Sequence, residues 1–468
     1  MRGFIMTILP ELFMLFFSVV FLFLSIGRRR ADVFKWAKVL SLLGLVVTLA
    51  SINGRGNLFY GAYKVDLFSQ IFKALIVYGF IFVIFMLDRK NEIEEDYHAE
   101  YFMFLGFSTL GLMMLVSSVE LISIAISLEI SSYSLYVIVP LRKGQTRIQL
   151  EASMKYLFFG AISTGIMIYG MSYLYGMTHS TFLANIMFVL PKFLDQPIGI
   201  LAIVLTLTGF FFKLSLFPFH FWAPDIYEGA SNTTTTFIAT VPKIAAAALL
   251  IRIGTLASAA DPAFVTILMV LAGLSMTFGN LVGLVQKDIK RLLAYSGIAH
   301  AGYVIMGILA MSRDGNAAAI YYMAVYLFMN LGCFYVVLLL SKSGENISLN
   351  DLSGLARRAP LLAFTLAVSA FSLAGIPPTG GFTGKLFLFT SAFKAGHLPI
   401  VIVGAVNTVI SIFYYLNLVR MSYSKEPVST EPIRLSFNEK ALCYVLIFLV
   451  LYLGLMPFGL TQLFSAAV

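Results

Sequence analysis

Cysteine is scarce in this 468-residue chain, with only Cys333 and Cys443 present. Two thiols in separate apolar blocks cannot build an iron–sulfur cluster or a four-thiolate zinc site. No glycine-rich dinucleotide fingerprint lies between a strand and a helix. The chain is therefore expected to hold no metal and no cofactor of its own. Charge is scarce too: 12% of residues are charged, against about 25% in a soluble domain. No polar connection is long enough for a separate soluble domain. The net charge of +9 calls for no nucleic acid, because an uneven distribution of Lys and Arg across a membrane accounts for it.

What is abundant is apolar sequence, at 59% of residues. It comes as blocks of about 20 residues, the length that crosses a bilayer core of roughly 30 Å. The reading is an all-α polytopic membrane protein with about fourteen transmembrane helices, the first retained rather than cleaved as a signal. Nineteen of the 32 basic residues fall in the odd-numbered loops and six on the opposite side. Basic residues favour the cytoplasm, so both termini are expected outside, on the periplasmic side. The acidic run at 92–100, within "DRKNEIEEDYHAE", reads as a solvated loop, with a face toward a partner as the alternative.

Seven basic residues fall inside spans. Lys73, Arg252 and Arg420 sit near span ends, where their stems can reach water. Lys155, close to the start of span 6, fits either that reading or a functional one. Lys213, Lys243 and Lys385 are too deep. A lysine at mid-bilayer costs about 2.5–3.5 kcal/mol on insertion scales, so something must repay it. Glu129 is a mid-span carboxylate. A dry environment disfavours an ammonium and a carboxylate neighbour favours it. A lysine that gains and loses such a neighbour is a proton-loading site, although the same residue types suit another cation. His300, in mid-span 10, suits a relay because imidazole accepts on one nitrogen and donates on the other. His220 reads as an interfacial helix-end residue, and Tyr295 and Tyr303 as lining.

Proline marks where the helices should break. Pro218 interrupts "GFFFKLSLFPFHFW", residues 209–222, beside Lys213, and "AGIPPTGGFT" precedes Lys385. Irregular backbone at membrane depth survives only where protein buries it or water lines it. The two breaks occupy matching places in two five-span sets, which points to inverted repeats. Residues 1–100 would hold spans 1–3, 101–257 the first repeat, 263–422 the second, inverted repeat, and 440–464 the last span.

At these residues the sequence resembles a known family. "LEISSYSLYVIV", "FKLSLFPFHFWAPDIYEGA", "VPKIAAAALLIRI", "KDIKRLLAYSGIAHAGY" and "AGIPPTGGFTGKLFLF" are similar to the antiporter-like membrane subunits of respiratory complex I, with subunit N closest. The resemblance implies proton translocation along Glu129, Lys155, Lys213, Lys243, His300 and Lys385, with Glu129 and Lys213 as a pair. It implies NADH, FMN, iron–sulfur clusters and quinone in partner subunits, neighbours like subunits M, K and J, a peripheral redox arm, and a bacterial inner membrane. Three alternatives stay open at this point. They are an Mrp-type Na⁺/H⁺ antiporter subunit, the membrane arm of a related hydrogenase or ferredoxin- or F420-linked dehydrogenase, and a solitary solute transporter.

Overall fold

A computed structural model describes residues 2–27, 33–87, 92–144, 146–256, 262–341, 344–424 and 432–468. Arg28 to Arg30, Arg89, Lys90, Lys342 and Lys425 of the topological count lie outside them. The described chain is helical almost throughout, because apolar backbone in lipid must satisfy its own hydrogen bonds. It divides into two compact units.

The first unit contains α1 (Arg2–Ile26), α2 (Val33–Ala50), α3 (Leu67–Met86), α4 (His98–Ser117), α5 (Leu121–Ile138), α6 (Thr146–Thr178), α7 (Leu183–Val189) and α8 (Pro197–Leu214). After an excursion of the chain, α10 (Asn232–Leu256) returns to it. Helix α10 is its most enclosed element, packed on α3, α4 and α8. Small residues allow α4 and α5 to touch. A methyl group on Gly111 would lie 2.7 Å from the Ser127 carbonyl oxygen, so only glycine permits that approach.

The second unit contains α9 (Trp222–Gly229, all but its last residue), most of α11 (Pro262–Gly283), α12 (Ile289–Ile308), α13 (Arg313–Leu340), α14 (Leu355–Arg358), α15 (Pro360–Ala374), α16 (Gly380–Lys394), α17 (Leu398–Ser422), α18 (Phe437–Leu455) and most of α19 (Phe458–Ala467). Helix α13 takes the central place, packed on α12, α15, α16 and α18. Arg291 at the start of α12 pairs with Asp225 at 2.9 Å and Glu228 at 2.7 Å on α9. Two of the motifs that carry the family resemblance are thus clamped together.

Twelve helices among the described residues are long and apolar enough to cross a membrane. Of the fourteen expected spans, the tenth and twelfth fall short of that measure. Helix α12 is diluted by Lys290, Arg291, His300 and two tyrosines. The twelfth is split into α15 and α16, of 15 residues each. Span 7 breaks after Leu214 as the prolines require, and both breaks contain a cis proline, at Phe217–Pro218 and Pro377–Pro378. Two features differ from the sequence reading. Span 14 also breaks, between Leu455 and Phe458, where Pro457 removes a backbone donor. The connection before α8 carries the short helix α7.

Arg252, Glu92 and His220 also depart from that reading. Arg252 does not snorkel: it is buried and bidentate on Asp66, at 2.9 and 3.0 Å, with a third bond to the Val116 carbonyl. Burial by itself raises the Asp66 carboxyl, but Arg252, the Ser69 amide and Lys64 outweigh it and hold the group at about 2. A depressed carboxyl stabilises above its ordinary value of about 4 and loses that contribution as pH falls through about 2. Thermal stability in detergent should therefore decline more steeply between these limits in the natural chain than in Asp66→Asn. Glu92 is buried rather than solvated. Its carboxylate accepts from Asn232 at 2.7 Å and from the Thr233 amide and hydroxyl at 3.2 and 3.0 Å, placing negative charge at the N-terminus of α10. Residues 94–97 of the same run are exposed, as a solvated loop requires. His220 is enclosed, packed on Phe217, Phe221 and Phe278.

Candidate functional site

In the first unit, Lys213 occupies the last turn of α8, immediately before Ser215 turns the chain with a positive φ of 60°. The side chain is 3% exposed, its ammonium lies 5.6 Å from the Tyr156 ring, and Nζ has no hydrogen-bond partner among the described residues. Glu129 is the carboxylate whose charge reaches it. Glu129 itself accepts a hydrogen bond from the Thr164 hydroxyl at 2.6 Å. The two groups interact through space without closing an ion pair.

Lys243 is buried on α10. Pro242 precedes it inside the helix, so the carbonyl one turn back, at Ile238, loses its intrahelical donor. Lys155 is not part of this dry set. It is about one-third exposed and pairs at 2.7 Å with Glu151, one turn earlier on α6. Glu129 is also only half-buried, on a stripe of α5 with the exposed Ile122, Ile126 and Tyr133.

In the second unit, His300 and Lys385 flank one ring. Lys385 Nζ lies 4.8 Å from the Tyr303 centroid, and the His300 ring lies 6.0 Å from the same centroid. Lys385 donates to the carbonyls of Leu373 and Ala374, at 2.9 and 3.1 Å. These are the last residues of α15, whose helical hydrogen bonding ends at Gly375. An ammonium at a helix C-terminus meets about half a negative charge. Gly375 turns away with a φ of 86°, a conformation glycine adopts without penalty. A Cβ there would stand 3.0 Å from Lys385 Cδ.

His300 is bonded on both nitrogens, Nδ1 with the Tyr322 hydroxyl at 2.5 Å and Nε2 with the Tyr415 hydroxyl at 3.0 Å. The Tyr415 hydroxyl in turn meets Ser296 Oγ at 2.5 Å. This is a chain of groups able to give and take a proton. Tyr322, Tyr415 and Ser296 were not among the sequence candidates, and the Tyr303 hydroxyl stands apart from this chain, donating to the Gly404 carbonyl at 3.2 Å.

A further buried pair lies in the first unit. Lys73, fully enclosed on α3, contacts Glu11 of α1 at 2.6 Å. Tyr63, on a short hairpin formed by β1 (Gly56–Leu58) and β2 (Tyr63–Val65), donates to the same carboxylate oxygen at 2.5 Å. Lys73 does not snorkel, and its partner is the acid the sequence reading passed over. Among the described residues no three His, Cys, Asp or Glu side chains gather as a metal site. Cys333 and Cys443 are buried, free thiols.

A family model described as "NADH:quinone oxidoreductase/Mrp antiporter, TM" matches residues 118–411. The chain belongs to this family. Residues 118–411 take in all six candidate residues, Glu129, Lys155, Lys213, Lys243, His300 and Lys385. Over 454 residues the chain is 44% identical to an NADH-quinone oxidoreductase subunit N from Opitutus terrae, covering 96% of this chain and 95% of the relative. It superimposes with a TM-score of 0.85 on a chain of respiratory complex I from Thermus thermophilus with bound aureothin, at 31% identity over 98% of this chain and 100% of that one. A chain of the Mrp complex from Dietzia sp. gives a TM-score of 0.86 at 19% identity, over 98% of this chain and 97% of that one, which is a likeness of fold. The family and subunit N readings of the sequence hold.

Proposed function

We propose that this chain is a proton-translocating membrane subunit of an NADH:quinone oxidoreductase, complex I. The observation that carries the reading is Lys213: an enclosed ammonium without a hydrogen-bond partner among the described residues, at a helix break, within reach of the Glu129 charge. Drawing an ammonium and a carboxylate from roughly 8 to roughly 4 Å, at an effective dielectric of about 20, changes their interaction by about 2 kcal/mol. That exceeds a tenfold change in proton affinity. Closing the pair would load Lys213 with a proton and opening it would release one. Lys243, His300 and Lys385 are assigned as further members of the pathway, with Lys385 nearest the exit.

Lys155 and Glu129 lie on partly exposed faces of spanning helices, where a lipid contact would be costly. We assign those faces to a neighbouring membrane subunit like K or M, whose charge changes would move Glu129. The chain is assigned no redox site. NADH, FMN, iron–sulfur clusters and quinone belong to partner subunits, J-like neighbours and the peripheral arm among them. The assigned location is a bacterial inner membrane with both termini periplasmic, and the repeats at 101–257 and 263–422 are assigned opposite orientations.

The test uses inverted membrane vesicles with and without this chain. Acidification that requires NADH, quinone and the chain, and that is indifferent to sodium, is the expected result. Sodium-dependent exchange without NADH would instead favour the Mrp-type reading.

A further inference from the structure

In the second unit a cavity of about 700 Å³ opens between the C-terminal ends of α11 and α17. Its walls are apolar, with Leu284 just past the end of α11 and Phe413 and Leu416 from α17 all substantially exposed. One end is polar and cationic. Arg420 there is exposed, donates to Asn417 at 2.9 Å, and pairs with no carboxylate of the described residues. The floor is Tyr414, whose hydroxyl donates to Asn280 at 2.9 Å.

We propose that this groove binds an anionic phospholipid, with the phosphate on Arg420 and an acyl chain along Leu284, Phe413 and Leu416. Three observations fit that occupant. The volume lies in the range of about 300–1,000 Å³ that holds a single small ligand. The cation sits in the last turn of the spanning helix α17, and Leu416 and Phe413 lie one and two turns back along that helix from it. The groove opens among the odd-numbered loops, which carry most of the basic residues, the side on which basic pockets between helices take anionic head groups. Occupancy would also bear on the candidate site. Tyr415, next to the floor residue, holds His300 Nε2, and Asn280 joins Tyr414 to Asn407 at 3.1 Å.

The test is photo-crosslinking in the intact complex, reconstituted in phosphatidylcholine bilayers. Trace lipid carrying a diazirine on its acyl chain is added either as phosphatidylglycerol or as phosphatidylcholine, and labelled peptides are identified by mass spectrometry. Phosphatidylglycerol should label the peptides holding Leu284 and residues 413–420 in preference to phosphatidylcholine. Arg420→Gln should cut that preference about fivefold, the contribution of one basic residue at a membrane surface, and Arg420→Lys should keep most of it. Leu416→Trp, which fills the groove and spares the cation, should lower labelling by both lipids. Equal labelling by the two lipids, an Arg420→Gln variant like the natural chain, or labelling abolished by inorganic phosphate would overturn the proposal. So would protein–protein crosslinks at these peptides in place of lipid.

Discussion

Lys385→Glu should cut NADH-driven proton pumping at least about tenfold, a loss of more than roughly 1.4 kcal/mol in the barrier for transfer. Lys385→Arg should keep a substantial part of it. The Leu373 and Ala374 carbonyls accept from the ammonium at 2.9 and 3.1 Å, at the negative end of α15. An ionised glutamate there would face two carbonyl oxygens and offer no donor. Arginine keeps the sign and the donors while changing the shape. Pumping by vesicles, normalised to assembled complex on a native gel, separates the cases. Equal damage from both substitutions would assign Lys385 a steric role rather than an electrostatic one.

The second large effect concerns stability. Glu11→Ala should cost about 3–5 kcal/mol, the penalty for leaving one member of a buried pair without its partner. Lys73 is wholly enclosed and its contact with Glu11 is 2.6 Å. Glu11 also takes the Tyr63 hydroxyl, tying the hairpin to α1 and α3. Replacing both charges, as Glu11→Leu with Lys73→Met, should recover most of the loss, because an apolar pair has no desolvation cost to offset. Thermal unfolding in detergent, arranged as a double-mutant cycle, measures the coupling. A double variant whose loss equals the sum of the two single losses would show the pair to be uncoupled.

How legible was this chain? Helix breaks were, where proline and glycine cluster: Pro218 and the 375–381 run each fall at an interruption. Pro457 carried the same signal and was passed over, because its span is short enough to read as one helix. Deep lysines were legible because a charge amid apolar residues stands out against its cost. Their partners were not, because pairing is decided in three dimensions. Glu11 and Lys73 lie on helices separated by a third, and nothing in either segment names the other. Lys155 is the opposite case. Its partner Glu151 stands one turn earlier in the same helix, at a spacing that local sequence shows. The tyrosines around His300 could not be picked out from the 23 in the chain. Glu92 hid beside Glu94, Glu95 and Asp96, which are exposed, so composition described the neighbours and not the cap.

The fold's contribution is to hold ammonium groups dry beside interrupted backbone while leaving a carboxylate close but unjoined. Lys213 and Glu129 carry that arrangement in the first unit. The direct measurement is proton pumping per quinone reduced in a fully assembled complex bearing Lys213→Ala. Loss of most pumping, together with slowed quinone reduction, is the predicted result. Pumping at the natural level in that complex would contradict the account.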